Sequence, residues 1–198
     1  VGAGAFGVSA SIELRRRGHD VTLVDPGPLP HPLASSTDIS KFVRMDYGAD
    51  DLYTDLGVES LEKWDEWNAS WPWAPYRETG LLLLSARPMR PGSFEGDSFE
   101  RVRARGIGAV RFGTDTLANR FSAWSPDRYA DGYFNPRAGW SPSGRVVEHL
   151  VWLAREAGVG LREGVRFASL IEEGSRVGGI VADGGERIEA DTVVVAAG

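Results

Sequence analysis

Cysteine is absent from this 198-residue sequence, and methionine (2) and histidine (3) are scarce. Without thiols there is no disulfide framework, no thiolate metal site and no cysteine nucleophile. His19, His31 and His149 are scattered, and the acidic residues show no ligand spacing, so no metal constellation is present. Positive charge is the minority: 22 Lys and Arg stand against 28 Asp and Glu, a net charge of −6. Nucleic acid needs a basic face that displaces counterions, and this balance argues against it. No uninterrupted apolar stretch approaches the roughly 20 residues that span a bilayer. A membrane span is therefore not expected. No signal peptide is visible, which leaves the reducing cytosol as the default compartment and a peroxisomal location open.

What the sequence does contain is average for a globular protein, 42% hydrophobic and 25% charged residues, in a length that fits one domain or one and a half. The opening reads as turn, helix and strand: Phe6 to Arg17 is helix-compatible, Gly18 fits its stop, and Val21-Thr22-Leu23-Val24 is a short apolar strand. That is two thirds of a βαβ unit. Pro26-Gly27-Pro28-Leu29-Pro30-His31-Pro32 follows, where prolines lack the amide donors that a sheet or helix needs. Asp50 to Asn68 has helical patterning, Gly80 to Ser85 is a strand candidate, and Ser98 to Arg105 a short charged helix. The stretch to Trp140 is irregular, with Tyr133 and Phe134 in a strand. The last third is regular again: a helix from Ser143 to Ala157, then strands at Val159 to Leu161, Ala168 to Glu173, Val177 to Ala182 and Thr192 to Ala197. Nucleotide-type pattern at both ends with irregular pattern between predicts one domain inserted into another.

Gly2-Ala3-Gly4-Ala5-Phe6-Gly7 matches GxGxxG and opens directly onto the first helix. Glycines there permit a tight turn, close approach of a pyrophosphate and close helix packing, while the helix N-terminus offers free amides to phosphate. A glycine-rich turn without a ligand is the bland alternative. Asp25 favours nucleotide binding, because it ends the next strand, where a carboxylate accepts hydrogen bonds from ribose hydroxyls and repels a 2′-phosphate. NADP is disfavoured, whereas FAD and NAD are not separated by the fingerprint. Because Val1 already stands inside a motif that normally follows a buried strand, the chain reads as an N-terminal fragment with its first strand missing.

With these residues in place the sequence resembles the D-amino-acid and sarcosine oxidase family of FAD-dependent oxidoreductases. The likeness is carried by Gly2 to Gly7, by Arg17 to Asp25 and by the closing Ala190 to Gly198. Ser35 to Tyr47 looks most like the fructosyl-amino-acid oxidases, or amadoriases: Asp38, Lys41, Arg44 and Asp46-Tyr47 follow their spacing. The resemblance implies an α/β fold, a Rossmann-like FAD/NAD(P)-binding domain from residues 1–77 and 141–198 with an inserted, incomplete substrate domain at 78–140. It implies FAD as cofactor, contacted by Gly2, Gly4, Phe6, Gly7, Asp25, Ser36, Asp38, Lys41, Phe167, Ala197 and Gly198. It also implies oxidation of a small secondary amine or amino acid by hydride transfer to the flavin, with imine hydrolysis and reoxidation by oxygen. A dehydrogenase of the same fold with another acceptor, or a non-catalytic nucleotide-binding module, are the alternatives.

Lys41 and Arg44 are the catalytic candidates. A lysine near a flavin stabilises negative charge on the reduced ring and attracts a substrate carboxylate; the bland reading is a solvated loop lysine. Arg44 either clamps a carboxylate with its two-pronged guanidinium or pins its own loop by pairing with Asp38 or Asp46. Trp64, Trp67, Trp71 and Trp73 read as core packing before they read as a substrate tunnel. His31 lies in the proline loop near the expected flavin, and His19 and His149 read as surface.

Overall fold

The computed structural model describes residues 1–121, 123, 124 and 126–198. The chain divides into two compact units, one of Val1–Ser40 with Pro142–Gly198 and the other of Lys41–Ser141. Residues 41–77, read from pattern with the terminal part, pack with the central segment. In chain order the first unit opens with helix α1 (Ala5–Arg16) and strand β1 (Thr22–Asp25). The central unit holds β2 (Lys41–Val43), α2 (Asp51–Ser70), β3 (Leu81–Ser85), α3 (Phe94–Ala104), β4 (Val110–Gly113), α4 (Thr114–Arg120), β5 (Asp131–Asn135) and β6 (Gly139–Ser141). The first unit then resumes with α5 (Ser143–Glu156), β7 (Gly160–Glu163), β8 (Phe167–Glu173), β9 (Arg176–Ala182) and β10 (Arg187–Glu189).

In the terminal unit β1 pairs in parallel with β7, Thr22 opposite Gly160 and Asp25 opposite Glu163. Antiparallel strands β8, β9 and β10 form a separate sheet in the order β10-β9-β8. α5 is amphipathic: Val146, Val147, Leu150, Val151 and Ala154 lie on one buried stripe, at the spacing of a 3.6-residue turn. α1 packs against α5 and buries Val8 and Ile12; each fully buried aliphatic side chain stabilises by about 1.5–3 kcal/mol. Arg15 ties the far ends of both helices, donating from Nε to the Ala157 carbonyl at 3.2 Å and from Nη1 to Asp20 at 2.6 Å.

The Thr192–Ala197 run predicted as a strand forms no ladder. It lies beside Val1, whose amino group donates to the Val194 carbonyl at 2.7 Å while the Ala196 amide donates to the Val1 carbonyl at 2.8 Å. That is the bond pattern of a single parallel bridge, too short for a strand. α3 starts four residues earlier than predicted, because Ser93 caps it by accepting from the Gly96 amide at 3.1 Å. Its Gly96 reads as a breaker in sequence and serves as a helical residue in the fold.

In the central unit β3, β5 and β4 form an antiparallel sheet with β5 in the middle, and β2 pairs with β6. The core gathers Val43, Met45, Leu61, Tyr76, Met89, Phe99, Val102 and Tyr133. Trp64 packs against it, and Trp64, Trp67, Trp71 and Trp73 continue as a half-buried row with successive centroids 5.2, 4.9 and 5.5 Å apart. Among the described residues, Trp64 is the one of the four that packs against this buried core. Asp131 is buried and accepts from the Met89 amide at 2.8 Å, the Gly132 amide at 2.9 Å and the Arg111 guanidinium.

Burial raises the Asp131 pKa, but the Arg111 guanidinium and the two amides outweigh it and hold the carboxyl below its ordinary value of 3.8. A carboxyl depressed by folding stabilises at pH above its unfolded value and loses that contribution as pH falls through its folded value. Asp131→Asn should therefore destabilise the protein at neutral pH by about 1–3 kcal/mol, with the gap to the parent narrowing below pH ~4. Urea unfolding at pH 7 and pH 3 checks this, and an equal deficit at both would refute it.

Candidate cofactor site

The glycine turn is built by contact rather than by flexibility alone. Gly7 stands so close to the turn that an added Cβ would lie 1.8 Å from the Gly2 carbonyl oxygen. Gly2 has a φ of +92° and would drive a Cβ to 2.5 Å from the Ala196 carbonyl oxygen. Both positions exclude any side chain, so the main chain of residues 1–7 folds tightly onto itself and onto Ala196. Gly4 precedes α1 as its N-cap and gives no side-chain cap; the first-turn amides of the helix have no carbonyl partners within it. Ser36 meets one of them, its Oγ accepting from the Ala5 amide at 3.1 Å. Phe6, in the same turn, is 87% exposed.

Asp25 closes the turn from the end of β1. It is only 6% exposed, and its Oδ2 accepts from the Ala3 amide at 2.8 Å while Oδ1 accepts from the Gly27 amide at 3.0 Å. A carboxylate has about four lone-pair positions. Two remain for hydroxyl donors, which is the requirement for holding a ribose. The Asp25 carbonyl accepts from the Val165 amide at 2.9 Å, which draws residues 164–167 to the end of β1. Phe167, two residues on, opens β8 opposite Ala182 and is half-buried. Ala197 and Gly198 are exposed at the end of the segment that runs beside Val1.

The loop from residue 31 to residue 40 is held by its own polar groups. His31 lies over Gly27, and its Nδ1 accepts from the Leu33 amide at 3.0 Å. Thr37 Oγ1 donates to the carbonyls of His31 at 2.8 Å and Ala34 at 2.7 Å. Asp38 Oδ1 accepts from the Ile39 amide at 2.8 Å, while its carbonyl accepts from the Gly144 amide at 2.9 Å. His31 thus organises its loop as a residue of structure. His149 is half-buried on α5, stacked on Trp152 with centroids 5.2 Å apart, and burial with the nearby Arg145 lowers its pKa.

In the central unit Lys41 begins β2, exposed, directly opposite Ser141 of β6. Arg44 follows the strand, half-buried, with its guanidinium 5.0 Å over the Tyr47 ring and Nη1 donating to the Asp46 carbonyl at 2.5 Å. Its pin to the loop is thus the main chain of Asp46. The Asp46 carboxylate, fully buried, goes elsewhere: it accepts from Tyr133 Oη at 2.5 Å and Asn135 Nδ2 at 2.9 Å. Burial first, and then the Asp46 charge, push the Tyr133 hydroxyl pKa up, so it stays a donor. This carboxylate bridges the turn after β2 to the middle strand of the sheet, and the sequence reading missed it. The one available signal was a tyrosine and an asparagine two apart in a strand, both polar on the face meant for the core.

Among the described residues no group of three His, Cys, Asp or Glu side chains could hold a metal, and no helix is long and apolar enough to cross a membrane. All of residues 1–198 match the family described as "DAO: FAD dependent oxidoreductase". The chain belongs to that family. Its fold is the mixed α/β, FAD-binding fold of the DAO family, and FAD is the cofactor on which the family depends. Among curated proteins it is similar to L-saccharopine oxidase of Schizosaccharomyces pombe, 29% identical over 175 residues, covering 80% of this chain and 38% of that protein. It is also similar to monomeric sarcosine oxidase of a Bacillus species, 24% identical over 139 residues, covering 70% of this chain and 35% of that one. A solved fructosyl peptide oxidase, a thermally stable mutant, shares the fold with a TM-score of 0.80 at 21% identity, covering 99% of this chain and 48% of its own. The chain thus spans half or less of the length of these relatives.

The geometry of the turn fits an FAD pyrophosphate and ribose: a backbone without side chains at Gly2 and Gly7, a helix N-terminus, and a buried carboxylate with free lone pairs. Asp25→Asn would set an amide N–H₂ against a backbone N–H and weaken a charge-assisted hydrogen bond of about 1.5–3 kcal/mol. FAD affinity should fall at least roughly tenfold. Titration of the FAD-depleted protein by flavin fluorescence measures it, and an unchanged affinity would mean that Asp25 serves the turn alone.

Proposed function

We propose that this chain is the cofactor-binding part of an FAD-dependent oxidase of amino acids or secondary amines, of the fructosyl-amino-acid or sarcosine type, with oxygen as acceptor. The observation that carries the reading is the glycine turn closed by Asp25 in a chain that matches the DAO family from end to end. In this reading the amides around Gly2, Gly4, Phe6 and Gly7 take the pyrophosphate, and Asp25 takes the ribose hydroxyls. The backbone near Phe167 takes the adenine edge, and Ser36, Asp38, Ala197 and Gly198 complete the cofactor contacts. Bound FAD supplies a two-electron acceptor for the carbon next to the amine nitrogen.

Lys41 places a fixed positive charge where negative charge develops, and such a preorganised charge in a water-poor site is worth about 3 kcal/mol at the transition state. Arg44 orients the substrate by its carboxylate. Its bond to the Asp46 carbonyl uses one of five guanidinium N–H donors, which leaves donors for a two-pronged grip. The names of the relatives support an amino compound carrying a carboxylate: saccharopine, sarcosine and a fructosyl peptide all have one.

The protein carrying this chain should purify yellow and release FAD in acid, and one of saccharopine, sarcosine or fructosyl-glycine should drive oxygen consumption. Reduction of the flavin that proceeds only with an artificial acceptor would make it a dehydrogenase; no reduction by any amine would make it a binding module. Lys41→Met should retain FAD yet slow anaerobic flavin reduction by roughly a hundredfold. A rate within about twofold of the parent would return Lys41 to the solvated surface and remove the main support for the amadoriase-like assignment.

A further inference from the structure

Helix α5 begins without a side-chain cap, since Pro142 stands at its N-cap position. Its first turn is satisfied instead by a loop from the other end of the unit's sequence. The Asp38 carbonyl accepts from the Gly144 amide at 2.9 Å and from Ser143 Oγ at 3.0 Å. Two residues earlier the same loop presents Ser36, whose Oγ accepts from the Ala5 amide at 3.1 Å. One three-residue segment therefore caps two helices, α1 through a side chain and α5 through a carbonyl. It cannot shift toward one helix without leaving the other uncapped.

Gly144 reinforces the constraint. An added Cβ there would stand 3.0 Å from the Asp38 carbonyl oxygen and 3.1 Å from that of Thr37, closer than ordinary van der Waals contact. Glycine is a poorer helix former than alanine, so α5 by itself would favour a side chain. The close approach of the loop is what requires its absence. Thr37 in turn locks to the His31 and Ala34 carbonyls, so the loop has no slack with which to absorb a push from α5.

We infer that Ser143 and Gly144 are positioning residues for the cofactor turn: they fix the segment 36–38, and through Ser36 they fix the first amides of α1. The inference rests on the reading of Ser36 as part of the FAD site. Neither residue needs to touch FAD. Ser143 acts on the first amides of α1 through Ser36, so that part of its effect should vanish once Ser36 is gone, leaving only what passes through Asp38.

The test is a double-mutant cycle read as the rate of FAD release from the holoenzyme, followed by the rise of free-flavin fluorescence. Ser36→Ala should speed release roughly tenfold and Ser143→Ala about threefold to tenfold, as for loss of one hydrogen bond. The double variant should release FAD clearly more slowly than the product of the two single effects, because residues that act in series are not additive. Ser143→Thr keeps the hydroxyl and should stay within about twofold of the parent, whereas Gly144→Ala should speed release although alanine favours the helix. Multiplying effects in the double variant would overturn the inference, as would Ser143→Thr behaving like Ser143→Ala or Gly144→Ala leaving release unchanged. A Ser36→Ala variant that releases FAD at the parental rate would instead refute the placement of Ser36 in the site, and this inference with it.

Discussion

The terminal unit depends on one buried carboxylate. Asp25 sits at the end of β1 and gives one oxygen to Ala3 in the glycine turn, the other to Gly27 beyond the strand, and its carbonyl to Val165. A carboxylate removed from water is costly unless hydrogen bonds replace its hydration, and here two backbone amides converge on it. The same bonds set the distance between the turn and the strand. Because Gly7 admits nothing between itself and the Gly2 carbonyl, the turn has a single shape once Ala3 is held. The requirement for a bare, tightly folded backbone in the glycine turn and the requirement to satisfy a buried carboxylate are met by one arrangement.

The insertion of the central unit is tolerated because each unit brings together its own two ends. In the central unit β2 and β6, its first and last strands, pair antiparallel with Lys41 opposite Ser141. In the terminal unit the Asp38 carbonyl meets Ser143 and Gly144. A domain whose ends adjoin can be placed within another without stretching either. Both candidate catalytic residues stand on the strand that opens the insertion or just beyond it, so the pairing that closes the central unit also fixes where Lys41 begins.

Local signals were legible in the sequence, and contacts made by main-chain atoms were not. α1, α2 and α5 were readable from periodicity and end signals, as was the link between Gly2–Gly7 and Asp25, because each depends on residues within about two dozen positions. β4 was hidden because only Phe112 of its four residues is buried, which leaves no alternation to read. α4 is a helix of seven residues, shorter than two full turns. The Asp38 carbonyl that caps α5 carries no residue signature, since any residue has that oxygen. Residues 41–77 were assigned by resemblance and pattern to the terminal part, but Met45, Leu61 and Tyr76 share a core with Val102 and Tyr133. Lys41 was singled out by family resemblance, because local sequence pattern alone does not separate it from a surface lysine.

Asp46 shows how the fold can leave a cation available for chemistry. An aspartate two residues from an arginine invites a salt bridge that would occupy the guanidinium. Here Arg44 bonds to the Asp46 carbonyl, a neutral acceptor, while the carboxylate accepts from the neutral donors Tyr133 and Asn135. Elevation of the Tyr133 pKa by burial and by the Asp46 charge keeps that donor protonated, so the network does not exchange its polarity in the ordinary pH range. The buried charge is satisfied within the sheet, and the arginine is oriented by a backbone oxygen and by the Tyr47 ring. In the proposed reading Arg44 meets a substrate carboxylate, and its orientation by the neutral Asp46 carbonyl rather than by the Asp46 carboxylate is compatible with that role.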